Sequence, residues 1–127
     1  MSFKTHEECL AYLEQVRWNG QPKCPYCESI RASAYKSEHR YHCNDCFTSY
    51  SVTVGTLFHK THVDLHVWFQ AIQIVMIDSR EISIRKLAEQ LKISKTTASY
   101  VRSRINRAIQ DESELMQRLS QINLSEE

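Results

Sequence analysis

Cys24-Pro25-Tyr26-Cys27 and Cys43-Asn44-Asp45-Cys46 set four thiols at C-x2-C-x15-C-x2-C spacing. That is the spacing of a tetrahedral zinc site of the zinc-ribbon kind. Each CxxC forms a tight knuckle that aims two sulfurs at one point, and the segment between the pairs is long enough for a short hairpin. The competing use of CxxC is thioredoxin-type redox chemistry. That use expects one CxxC opening a helix after a buried strand, and it leaves the second pair idle. The expectation is therefore one structural Zn2+ held by Cys24, Cys27, Cys43 and Cys46, with Cys9 as a buried helix residue. A disulfide scaffold is disfavoured by the paired spacing and the odd count of five cysteines, which points to a reducing cytoplasm.

A chain of 127 residues holds one ordinary domain or two very small ones sharing a core. No cationic-apolar-small leader opens it, and no apolar run approaches the roughly 20 residues that a membrane span needs, so no membrane is expected among its partners. The net charge of +1 is uninformative, but its distribution is not. Between Arg85 and Arg107 stand Arg85, Lys86, Lys92, Lys95, Arg102, Arg104 and Arg107, against Glu89 alone. The tail reverses sign, with Asp111, Glu112, Glu114, Glu126 and Glu127 against Arg118. A local basic surface binds phosphate whatever the total charge; the plainer reading of this stretch is a solvated helix face.

Thr5-His6-Glu7-Glu8 reads as a capping box, and Leu10, Leu13 and Val16 carry a helix to about Trp18, where Asn19-Gly20 ends it. Ser33–Lys36 and His39–His42 are short strand partners, and the β-formers of Phe47–Val54 predict a third strand stopped by Gly55. Three short strands bury little, so the metal must supply much of their stability. From Val63 the period becomes helical: Leu65, Trp68, Phe69, Ile72, Val75 and Met76 share one face, read as core. Ile84, Leu87, Ala88 and Leu91 mark a second helix. Ser94 caps a third, with Ala98, Val101, Ile105 and Ile109 inward. The fold class is small α+β: an N-terminal helix (1–20), a four-cysteine zinc ribbon with short antiparallel strands (21–60), an α-helical helix-turn-helix domain (61–110) and an acidic tail (111–127), fraying from Ser120.

At about 100° per residue, burying Ala98, Val101 and Ile105 sends Thr96, Ser99, Tyr100, Ser103 and Arg107 outward, with Lys95 and Arg102 on one flank and Arg104 on the other. Hydroxyls and a phenol toward base edges, with long cations toward two phosphate rims, suit the major groove of double-stranded DNA. Ser and Thr pair with several bases, so modest specificity is expected from this helix alone. Lys23, Arg31, Lys36, Arg40 and Lys60, with Tyr35 and Tyr41 among them, offer the ribbon as a second contact; alternatively, the tyrosines pack over the knuckles and the cations are only solvated. His59, His62 and His66 have Asp64 as their one nearby carboxylate, a poor second metal site, and His42 adjoins a ligand set that four cysteines already close. Such a closed zinc leaves no position for a water, which argues against hydrolysis there.

The chain resembles, from about Cys9 to Ala108, the N-terminal region of bacterial insertion-sequence transposases that carry a transposase zinc ribbon ahead of a DDE catalytic domain. The resemblance is carried by Trp18–Cys27, by Tyr41-His42-Cys43 with Cys46, and most specifically by Ser51-Val52-Thr53-Val54-Gly55-Thr56-Leu57-Phe58. It continues in Leu65 with Trp68, Leu87-Ala88, Thr97-Ala98 and Arg104-Ile105. Three positions depart from the family pattern: Glu28 replaces the glycine after the first CxxC, Lys92 replaces a turn glycine, and Ser99 replaces an aromatic. A left-handed Lys92 would cost about 1–2 kcal/mol. In the family a ribonuclease-H-like domain follows, with three carboxylates holding two divalent metals. This chain stops about where that domain would begin, and Asp111, Glu112 and Glu114 lie in a tail without strands to gather them.

The resemblance thus implies a non-enzymatic, sequence-specific DNA-binding module of a transposase that recognises transposon ends, in a bacterial cytoplasm and associated with the nucleoid. A homodimer or a catalytic transposase subunit is the further partner it implies. The alternatives are a stand-alone DNA-binding regulator and a protein-interaction zinc-ribbon module.

Overall fold

The computed structural model describes residues 5–35, 39–59, 61–77 and 82–121. Lys36, Lys60 and the acidic pair Glu126-Glu127, all named above, lie outside these residues. Helix α1 (His6–Trp18) begins at the expected capping box: the Thr5 hydroxyl accepts from Glu8 N–H, and the Glu8 carboxylate accepts from Thr5 N–H. Asn19, at φ 51°, closes it in the left-handed region, where asparagine is tolerated.

Strands β1 (Ala32–Ala34), β2 (Tyr41–Cys43) and β3 (Ser49–Tyr50) form an antiparallel sheet in that order. Ala32 pairs with Cys43 and Tyr41 with Tyr50. The third strand is much shorter than the eight residues expected. From Val52 the chain coils through turns, with Val54 N–H donating to Ser51 O and Thr56 N–H to Thr53 O. The physical reason lies in α1: Arg17 donates to the carbonyls of Val52 at 2.6 Å and Val54 at 3.2 Å, taking acceptors that a sheet would use. Val52, Leu57 and Phe58 then drop into the helical core instead of lining a strand face.

Helix α2 (Leu65–Ile77) is the centre of that core. Leu65, Trp68, Phe69, Ala71, Ile72 and Val75 are fully buried, whereas Met76 is only partly so. Its first N–H groups need outside acceptors, and one is supplied at long range, Leu65 N–H donating to His6 Nδ1 at 3.1 Å. Helix α3 (Ile84–Leu91) is capped by Ser83, and α4 (Lys95–Asp111) by Ser94, whose hydroxyl accepts from Thr97 N–H at 3.1 Å. Between them Lys92 sits at φ 59°, so the glycine-like turn is made by a lysine. On α4 the buried stripe is Ala98, Val101, Ile105 and Ala108; Ile109, expected inward, is half-buried at its edge.

The expected acidic tail is in part a helix. Glu112 breaks α4, and α5 (Ser113–Ser120) packs back on α2, burying Met116 and Leu119. Arg118 donates to Val16 O at 3.3 Å, tying α5 to α1 as well. One apolar cluster therefore runs through α1, the 52–58 turns and all four later helices, while a small second one holds Cys24, Cys43 and Tyr50. Trp18 packs against both. Among the described residues no helix is long and apolar enough to cross a membrane.

Candidate metal centre and nucleic-acid interface

The two knuckles are built alike. Glu28 N–H donates to Cys24 O and Phe47 N–H to Cys43 O, both at 2.9 Å, and each donor residue lies in the left-handed region, at φ 67° and 64°. Folding the chain back this tightly points amides at sulfur: Tyr26 N–H reaches Cys24 Sγ at 3.4 Å, and Cys46 N–H reaches Cys43 Sγ at 3.4 Å. The Cys46 amide, working against burial, brings the Cys43 thiol down to about 6, toward the thiolate that a metal takes.

All four sulfurs lie within 4.8 Å of one another. Cys24 Sγ is 3.6 Å from Cys46 Sγ, and Cys27 Sγ is 3.5 Å from Cys43 Sγ. A tetrahedron with Zn–S bonds of about 2.3 Å has edges of about 3.8 Å, so the set fits zinc closely. The four cysteines are positioned to bind one zinc ion, and four sulfurs complete its tetrahedron. Tyr50 lies against this centre, its ring wholly buried; burial first, then the negative sulfurs, push its phenol up to about 12. Among the described residues no other group of three histidine, cysteine or acidic side chains converges, and His59, His62 and His66 do not assemble a second site.

The tyrosines and cations of the ribbon separate into two roles. Tyr41 packs inward, stacked on Tyr50 with ring centroids 5.8 Å apart, and its hydroxyl donates to Glu14 at 2.7 Å. Tyr35, Tyr26 and Phe47 remain exposed. Arg31 is paired with Asp45 at 2.5 Å and Lys23 with Glu28 at 3.9 Å. Arg40 donates to a hydroxyl, Ser49 Oγ at 3.0 Å.

On α4, the side chains of Lys95, Thr96, Ser99, Tyr100, Ser103, Arg104 and Arg107 line one shallow concavity of about 680 Å³. Tyr100 is anchored edge-on against buried Trp68, centroids 6.0 Å apart, and Arg104 lies 5.3 Å over its ring while donating to His59 O. Arg102 departs from the outward flank expected of it: its guanidinium turns to the start of α3 and donates to Ile82 O at 2.7 Å. The sequence reading missed the clamp made by Arg17 and the bridge made by Trp18. The one signal for either was an aromatic-cation pair at the end of a helix, directly before Asn19-Gly20.

Residues 4–49 match the family described as the transposase zinc-ribbon domain. Over 99 residues the chain is 30% identical to an uncharacterized protein in transposable element ISH50 of Halobacterium salinarum, an overlap that covers 76% of this chain and 33% of that protein. The chain thus spans about a third of the length of the curated relative it matches. No solved structure gives a significant match. Four sulfurs gathered in the geometry of one zinc thus lie within a stretch, residues 4–49, that is similar to the transposase zinc-ribbon domain.

Proposed function

We propose that this chain is the DNA-binding part of a transposase and that it recognises transposon ends through α4. The observation that carries the reading is the α4 concavity, where three hydroxyls, a phenol and three cations share one surface. A major groove about 12 Å wide admits a helix, and the N-terminal residues of such a helix contact base edges. On this reading α3, the Lys92 turn and α4 act as a helix-turn-helix. Thr96, Ser99, Tyr100 and Ser103 face bases, while Lys95, Arg104 and Arg107 take phosphates. Arg102, bonded to Ile82 O, fixes how α4 sits on α3 and leaves the groove to the others.

Zinc is structural here, and its role is to keep the ribbon folded against α1. Strand cleavage and joining would belong to a separate catalytic domain, so this chain binds duplex without nicking it. A second copy of the chain or a catalytic transposase subunit is the protein partner that this reading implies. The nucleoid is the place where such a protein would work.

The test is selection from a labelled random duplex pool, followed by fluorescence anisotropy at two salt concentrations. Three phosphate contacts give a slope of log affinity on log salt of about −2.7. Enrichment of one motif with a slope of that order supports the reading. Binding no tighter than to heparin, with no motif enriched, overturns it.

A further inference from the structure

A second concavity, of about 350 Å³, opens between the start of α1, the segment leading into β2, and a third wall that carries Ser51, Thr53, Phe58, Thr61 and Leu65. Its polar wall is basic and hydroxylated. Arg40 reaches it with a guanidinium that uses one nitrogen on Ser49 Oγ. His6 accepts Leu65 N–H at Nδ1, which leaves the ring proton on Nε2 as a donor. Ser51 and Thr53 share one hydrogen bond at 2.8 Å, so one hydroxyl proton of the pair remains to be given. His39 is already committed at Nδ1 to Glu14, and Glu7 is the acidic member of the lining.

This cleft is linked to the α4 surface by side-chain contacts, one path through buried Trp68 and one through the His59 backbone. Tyr100 packs on Trp68, whose indole N–H donates to Thr61 Oγ1 at 3.1 Å, and Thr61 is part of the cleft wall. Arg104, on the α4 side, donates to His59 O two residues before Thr61. Two side-chain contacts thus separate the phenol on the reading face from the cleft. A helix in the major groove has a phosphate row on either side, about 12 Å apart. The geometry points to the cleft as a seat for one backbone phosphate of the duplex that α4 reads, with Arg40 as its principal cation and His6 Nε2 and the Ser51–Thr53 pair as neutral donors. The inference rests on the DNA-binding reading of α4. It adds a contact from the ribbon half of the molecule, so the footprint extends beyond the groove that α4 occupies and joins the two halves on one duplex.

The test compares wild type, Arg40→Ala and Arg107→Ala on a duplex selected from the random pool, across a salt series. Each phosphate is replaced in turn by a neutral methylphosphonate. A phosphate contact contributes about one unit of salt slope and no base preference. Arg40→Ala is expected to bind about tenfold more weakly at low salt, with a slope shallower by about 1 and the same selected motif. One methylphosphonate flanking the motif should weaken wild type and leave Arg40→Ala unaffected. Methylphosphonate scanning of the wild type alone keeps the test alive if the variant folds poorly, and a scan with no sensitive phosphate outside the α4 site overturns the cleft. An Arg40→Ala protein with unchanged affinity and slope, beside an Arg107→Ala protein that loses both, also overturns the cleft while the α4 reading survives. Wild type that prefers no duplex over heparin overturns both.

Discussion

Trp18 meets Tyr50 edge to face, ring centroids 5.8 Å apart at 84°, and this contact joins the metal-bearing sheet to the helices. Tyr41 completes the group, 5.7 Å from Trp18. Edge-to-face aromatic pairs contribute about 0.5–1.5 kcal/mol beyond area burial. Because Trp18 is half-buried, Trp18→Ala should destabilise by about 2–3 kcal/mol, below the range for a fully buried Trp. Urea unfolding with zinc present measures it. A loss under 1 kcal/mol would mean that Arg17 and Glu14 hold the ribbon without the indole.

Two clusters bridged by one residue predict an uneven response to chelation. The ribbon cluster is only Cys24, Cys43 and Tyr50, too small to stand without metal, whereas the helical core is large and has no ligand in it. A strong chelator should release the 21–50 region to protease and leave most of the helical circular dichroism in place. Cys43→Ser should show the same pattern together with loss of bound zinc. Melting of the helices along with the ribbon would refute the division.

Lys92 and Glu28 stand in the left-handed region without being glycine. The local cost is about 1–2 kcal/mol, partly offset in a glycine variant by the greater freedom of its unfolded chain. Lys92→Gly and Glu28→Gly should therefore each raise stability by about 0.5–1 kcal/mol, read as a higher urea midpoint at unchanged slope. A lowered midpoint for either variant would show that its side chain makes up for the strain.

What the sequence disclosed were features whose cause is local. The CxxC knuckles, the Thr5–Glu8 box and the Ser94 cap are each decided within four residues, and each formed where the residues placed it. What it concealed had distant causes. Val52 and Val54 look like strand because they are β-branched, yet Arg17, 35 residues away from Val52, takes the carbonyl oxygens. Arg102 points outward on a helical wheel, yet its guanidinium turns aside to Ile82 O, 20 residues away. The same limit applies to the cleft, whose walls come from three separate stretches of chain.

Five charged side chains among the sixteen residues after Asp111 drew the eye from the apolar Met116 and Leu119, three positions apart on α5. Both are fully buried, so Met116→Ala and Leu119→Ala should each cost about 2–4 kcal/mol. Gln117→Ala, on the exposed face, serves as the control and should change stability by less than about 0.5 kcal/mol. Thermal unfolding of the three variants distinguishes a docked helix from a tail, because a tail would give three equal midpoints.

Cys9 is wholly buried on α1, and burial, with help from the neighbouring Glu8 charge, pushes its thiol up to about 12 from an ordinary value of 9. Its folded form therefore holds the proton more tightly than its unfolded form does. By linkage, the stability tied to this proton is fully present below about 9 and is lost as the pH rises from 9 toward 12. Only the thiolate alkylates, so the folded protein should keep Cys9 unmodified at pH 8. In the chelated protein, iodoacetamide with mass spectrometry should count four modified cysteines, and five only after urea is added. Cys9→Ala should flatten the fall in stability between pH 9 and 12 relative to wild type. Rapid labelling of Cys9 in the native protein at pH 8 would show instead that α1 opens from the core on the timescale of the reaction.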